Sequence, residues 1–128
     1  MANSAGYHEP LDKLRTETVD NHRALTSMQE ELEAADWYDQ RVDAATDPEL
    51  KAILAHNRDE EKEHFVMLLE WFRRRDPKMS TELKDRLFTT GSIVALEQAG
   101  KAGGGAEGEA AAGSGSLGIG SLKGGPAL

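Results

Sequence analysis

An all-α fold is predicted for this chain, on three observations. Two long segments carry apolar residues at alternating spacings of four and three, the signature of helices packed along a seam. Only a few residues, Thr46-Asp47-Pro48, separate them, so the two helices should fold back as an antiparallel hairpin. Beyond Gly91 the composition changes, with 12 of the 13 glycines lying from that residue onward.

The first helix is expected over Thr16 to Ala45, with a seam of Ala24, Met28, Glu31, Ala35, Tyr38, Val42 and Ala45. The second is expected from Glu49 to Arg75, with a seam of Leu50, Leu54, Asn57, Glu61, His64, Leu68 and Trp71. Asp47 suits an N-cap and Pro48 the first helical position, where its missing N–H costs nothing. Asp76-Pro77 should end the second helix, since proline disfavours helical backbone just before it. Ser80 then caps a short helix from Thr81 to Phe88, with Leu83 and Leu87 on one side. At 1.5 Å per residue each long helix spans about 40 Å. Leu54, Phe65, Leu68, Leu69, Trp71 and Phe72 are more apolar surface than one hairpin can bury. Pairing with a second copy, giving a ferritin-like four-helix bundle, is the expected remedy. The domain division follows: a helical domain at 1–90, a flexible linker at 91–115 and a separate tail at 116–128.

Composition narrows the function. The chain has 128 residues, no cysteine and a net charge of −8. Disulfides, thiolate metal sites and cysteine nucleophiles are excluded. Any metal must be held by carboxylates and imidazoles, which suits iron or manganese. No apolar run reaches the ~20 residues of a membrane span, and the N-terminus lacks signal-peptide character, so a cytosolic origin is the default expectation. The acidic balance argues against nucleic-acid binding, which needs clustered basic side chains. Arg73-Arg74-Arg75 reads as a basic helix C-terminus facing the macrodipole.

The chemistry lies where charge interrupts the seams. Glu61 and His64 are three residues apart and project from one side of the second helix. Glu31 sits in the first seam, 14 residues before Ala45, while Glu61 lies 13 after Pro48. An antiparallel hairpin therefore sets them at one height. A charged group in a seam is costly unless paired or metal-bound, and neither expected seam carries Lys or Arg nearby. Glu31, Glu61 and His64 are the three protein ligands of one iron in a di-iron carboxylate site, and a two-fold partner would supply the other three. A buried Glu–His ion pair without metal is the alternative. Tyr38, one heptad after Glu31, serves either as a neighbour of the metal or as a core aromatic. Glu30 and Glu33, with Trp37 nearby, form either an acidic entrance site completed by symmetry mates or a solvated face. His56, Glu60 and Glu63 suit either a weak surface metal site or, again, a solvated face. Ser116-Leu117-Gly118-Ile119-Gly120-Ser121-Leu122-Lys123 returns apolar residues after the linker. It reads either as an extended docking peptide or as a low-complexity terminus.

Three stretches carry a family resemblance: Glu30-Glu31-Leu32-Glu33-Ala34, Asp36-Trp37-Tyr38-Asp39-Gln40-Arg41-Val42-Asp43, and Ala52-Ile53-Leu54-Ala55-His56-Asn57-Arg58-Asp59-Glu60-Glu61-Lys62-Glu63-His64. From His8 to Phe88 the chain resembles the encapsulated ferritins, cargo proteins of bacterial encapsulin nanocompartments. The resemblance implies a two-helix half-ferritin that dimerises into a four-helix bundle around a di-iron site and assembles into an annular decamer. It implies oxidation of Fe(II) to Fe(III), with mineral stored in the encapsulin shell in the bacterial cytoplasm. The ferroxidase ligands would be Glu31, Glu61 and His64, with Tyr38 adjacent. Glu30, Glu33 and Trp37 would form the entrance site, where Ca is a candidate ion. Ser116–Lys123 resembles the shell-targeting peptide. A non-catalytic, acidic metal-binding cargo is the alternative function.

Overall fold

A computed structural model describes residues 6–102 of the chain, and every described element is helical. The 103–115 part of the expected linker and the expected targeting residues Ser116–Lys123 lie outside the described residues. The chain divides at Arg75 into two units, each taken by itself below.

In the first unit a 3-10 turn, Leu11–Lys13, precedes α1 (Thr16–Ala44) and α2 (Pro48–Arg75). The two helices are the expected antiparallel hairpin. Pro48 is the first residue of α2, and Asp47 accepts a hydrogen bond from the Leu50 amide at 2.9 Å. The turn is closed from the other side by Lys51. Its Nζ donates to the carbonyl oxygens of Val42 and Ala45, at 2.8 and 3.2 Å. Those carbonyls sit at the C-terminus of α1, where cations are favoured.

The α1 seam is as expected: Ala24 and Met28 are buried, and Glu31, Ala35, Tyr38, Val42 and Ala45 are half-buried. The α2 seam needs a correction. Leu54, Glu61 and Leu68 hold, and Asn57, His64 and Trp71 are half-buried, but Leu50 is exposed, and the stripe one residue further on, Lys51, Arg58, Phe65 and Phe72, is covered along its whole length. Leu50 is 46% exposed, whereas Phe72 is 6% exposed and the only buried α2 residue. Both sets keep heptad spacing and differ by one residue at every second position. Periodicity alone cannot separate two such stripes. Burial of a phenyl ring, and of the Lys51 and Arg58 stems beneath their charged tips, separates them. A cation therefore does lie on the α2 seam near the carboxylates: Arg58 donates to Asp39 at 2.9 Å and Asp59 at 3.1 Å.

Expectation also shifts for the uncovered apolar surface. Phe72 is buried, and Leu54, Phe65, Leu68, Leu69 and Trp71 are half-buried. On the two long helices the exposed large side chains are Leu25, Leu32, Trp37, Leu50, Ile53, Val66 and Met67, the last at 63%.

In the second unit α3 runs from Pro77 to Arg86 and α4 from Ile93 to Ala102. Asp76, not Ser80, caps α3, accepting from the Met79 amide at 2.9 Å. Pro77 is the first residue of the new helix, so one proline both stops α2 and starts α3. Phe88 and Gly91 have positive φ, 59° and 90°, which breaks the helix after α3. Helix α4 falls in the first part of the segment expected to be a linker. Ser92 caps it through the Ala95 amide at 3.1 Å, and Lys101 pairs with Glu97 one turn away at 2.7 Å. No described helix is long and apolar enough to cross a membrane.

Candidate metal centre

The hairpin brings Glu31 of α1 to Glu61 and His64 of α2. One potential ligand atom from each lies within 4.8 Å of the others. His64 Nδ1 is 3.5 Å from Glu31 Oε1 and 3.5 Å from Glu61 Oε1. The Glu31 and Glu61 side chains are 24% and 22% exposed, and His64 is 44% exposed. Such partial cover strengthens electrostatic attraction while leaving one side open. Among the described residues this is the one group of three or more His, Asp or Glu side chains gathered closely enough to hold an ion.

The protons of the metal-free site show the same crowding. A hydrogen bond to the Glu61 carboxyl pushes the Glu31 pKa above its ordinary 4.5, and burial and the Glu61 charge add to the rise. His64 opposes that rise without cancelling it. For His64, partial burial disfavours the charged ring, but the Glu31 and Glu61 carboxylates outweigh it, and its pKa lies above 6.5. The cluster therefore takes up positive charge, as protons or as a metal ion. Two carboxylates and one imidazole are oxygen and nitrogen donors that fit iron or manganese.

The open side of the site continues into a groove of 720 Å³. Glu31 and His64 lie at one end of it, and Ala24, Met67, Leu68 and Trp71 line its wall. Arg75 covers the Trp71 ring at 4.0 Å. Two charged ligands thus adjoin an apolar, solvent-open surface.

The remaining candidates are placed differently. Tyr38 is half-buried one heptad away, with the Arg41 guanidinium 5.3 Å from its ring centroid. Glu30 and Glu33 are exposed on α1, as is Trp37 at 49%. Within one chain they do not belong to a three-ligand group. His56 and Glu60 approach to 3.5 Å, but Glu63 does not join them in a three-ligand group. The signal passed over in the sequence is the approach of Glu60, named only with His56 and Glu63, to His64. Glu60 lies one turn before His64, and its Oε1 is 3.7 Å from His64 Nε2. The i, i+4 spacing carried that contact.

The EncFtn-like family model matches residues 6–90. The chain is 62% identical over 126 residues to an encapsulated ferritin-like protein of Rhodospirillum rubrum, covering 94% of this chain and 90% of that one. It is 30% identical to the encapsulin nanocompartment cargo protein EncC of Myxococcus xanthus, covering 96% and 99%. Among solved structures, a protein of Nitrosomonas europaea is 65% identical, with a TM-score of 0.67 over 69% of this chain and 97% of that one. With its family match spanning the hairpin and all three clustered ligands, the chain belongs to the EncFtn-like family of encapsulated ferritin-like proteins.

Proposed function

We propose that the chain is a ferroxidase whose active site forms between two copies. The observation that carries this reading is the cluster of Glu31, Glu61 and His64 at the edge of an open apolar groove. One chain offers a three-ligand half-site. A second copy, related by a two-fold axis, covers the groove and brings the same three ligands opposite. The paired half-sites then hold two Fe(II) ions as substrate. Each iron gives up one electron, and dioxygen accepts both.

The protein residues supply charge and geometry. Any proton held on Glu31, which binds it more tightly than an ordinary carboxyl does, must leave for a cation to enter. The Glu31 and Glu61 carboxylates then offset its charge, and they stabilise Fe(III) more than Fe(II), because the interaction grows with ionic charge. His64 must be neutral to bind through Nδ1, and it fixes the third direction of the half-site. Glu30, Glu33 and Trp37, joined by symmetry mates, form the entrance site on the exposed side of α1, with Ca as a candidate ion. Tyr38 stands close enough in the heptad to support the centre. Further assembly to an annular decamer, and residence in an encapsulin nanocompartment of the bacterial cytoplasm, follow from the same reading. In it, residues 1–90 form the half-ferritin, 91–115 the linker and 116–128 the shell-targeting tail. The name of the Myxococcus xanthus relative supports a cargo role.

One set of variants tests the reading. Glu31→Ala, Glu61→Ala and His64→Ala should each reduce oxygen uptake on Fe(II) addition to the uncatalysed rate. Deleting Ser116–Leu128 should abolish loading into the encapsulin shell and leave oxygen uptake unchanged. A ligand triple variant that consumed oxygen as fast as the parent would sink the site assignment. Metal binding with no oxygen uptake by the parent chain would identify a non-catalytic metal-binding cargo instead.

A further inference from the structure

The two ring nitrogens of His64 face different partners. Nδ1 faces the other two prospective ligands, Glu31 and Glu61. Nε2 faces Oε1 of Glu60 at 3.7 Å. The other oxygen of Glu60, Oε2, is 3.5 Å from Nε2 of His56. Glu60 thus stands on the far side of the ring from the three-ligand cluster and is itself approached by a second imidazole.

A neutral imidazole that gives one nitrogen to a metal carries its proton on the other. That N–H needs an acceptor, and in metal-binding histidines the acceptor is commonly a carboxylate. We infer that Glu60 is a positioning residue for metal binding at His64, accepting the Nε2–H so that Nδ1 is presented to the metal. The present separation is longer than a hydrogen bond. The Glu60 side chain is 45% exposed, so it has room to rotate and close that gap. An accepted N–H would hold the ring plane and make Nδ1 a stronger donor. His56, 70% exposed, restrains the carboxylate from the solvent side. The same reading explains why Glu60 and His56 meet while Glu63 stays apart: the pair serves the ring of His64 and needs no third ligand.

This inference rests on the metal reading of the Glu31, Glu61 and His64 cluster, and it does not depend on oxidation. Its test is the binding of Co(II) to the full chain, without oxygen or iron, followed by cobalt absorption and competition titration. Glu60→Ala should weaken Co(II) binding about 10- to 100-fold. Glu60→Gln keeps an acceptor oxygen and should recover most of that loss. Parental affinity in both variants would overturn the inference. Equal losses in both would also overturn it, by assigning the effect to the lost charge alone. Loss of a whole Co(II) equivalent, with the remaining affinity unchanged, would make Glu60 a ligand and overturn it as well. A chain that binds Co(II) as expected but does not oxidise Fe(II) would end the ferroxidase reading and leave the role of Glu60 standing.

Discussion

Glu31 and His64 both hold their protons more tightly in the fold than their ordinary values of 4.5 and 6.5. Without metal, the stability this contributes is fully present below those ordinary values. It is lost as pH rises through the raised ones. A bound metal reverses the dependence, because it competes for the same lone pairs. Co(II) affinity should therefore climb from about pH 6 to about pH 8, steepest above the ordinary histidine value. An affinity flat across that range in anaerobic titration would show that the Glu31 and His64 protons are not displaced. Glu70 behaves oppositely. Hydrogen bonds from Arg73 and Arg74 depress its pKa to about 2, so its contribution is present above 4.5 and fades as pH falls toward 2. At this scale the sequence was legible for the ligands, because Glu61 and His64 share one helix and their spacing is local. The role of Glu60 was not read, although its spacing to His64 is equally local. Which side of the ring meets Glu60 depends on where the ring points, and that follows from how α2 is rotated against Glu31 on α1.

That rotation belongs to the elements. The heptad pattern of α2 fits two adjacent stripes, and the chain uses the one containing Phe65 and Phe72. The consequence is that His64 and Trp71 flank the seam and face the groove. Phe72 is the α2 residue that sets this rotation by burial. Phe72→Ala should cost about 3 kcal/mol, read from urea unfolding at fixed protein concentration. A change under 1 kcal/mol would mean that another contact, such as Lys51 on the α1 carbonyls, governs the rotation. The caps show the same division. Asp47 was readable because Pro48, directly after it, suits the first helical position and so marks Asp47 as the cap. Ser80 suited the start of α3, but the fold uses Asp76 and starts the helix four residues earlier than expected. Helix α4 was hidden by the glycines that follow it. Ser92 and the Glu97–Lys101 pair are its only local signals, and Ile93, Val94 and Leu96 show no partner in the pattern.

The first unit is a hairpin with too little interior of its own. Its buried apolar residues are Ala24, Met28 and Phe72, too few to support so long a pair of helices in isolation. Met67 lines the groove beside His64 and is largely exposed, so a second copy has most to gain by covering it. Met67→Asp should shift the chain toward monomer in sedimentation at fixed concentration. Iron oxidation should fall over the same concentration range, although Met67 supplies no ligand. A monomeric Met67→Asp chain that kept the full rate would show that one hairpin suffices. The sequence alone established the helical class, the antiparallel hairpin, the level placement of Glu31 with Glu61, and the family. Each of these depends on composition, spacing or short-range chemistry along one chain. The fold in three dimensions decided which face of α2 packs on α1, and hence that Glu31, Glu61 and His64 converge beside a groove with Glu60 behind the ring. Those facts turn on competition between near-equivalent stripes, and that competition is settled by packing, where Phe72 fits and Leu50 does not.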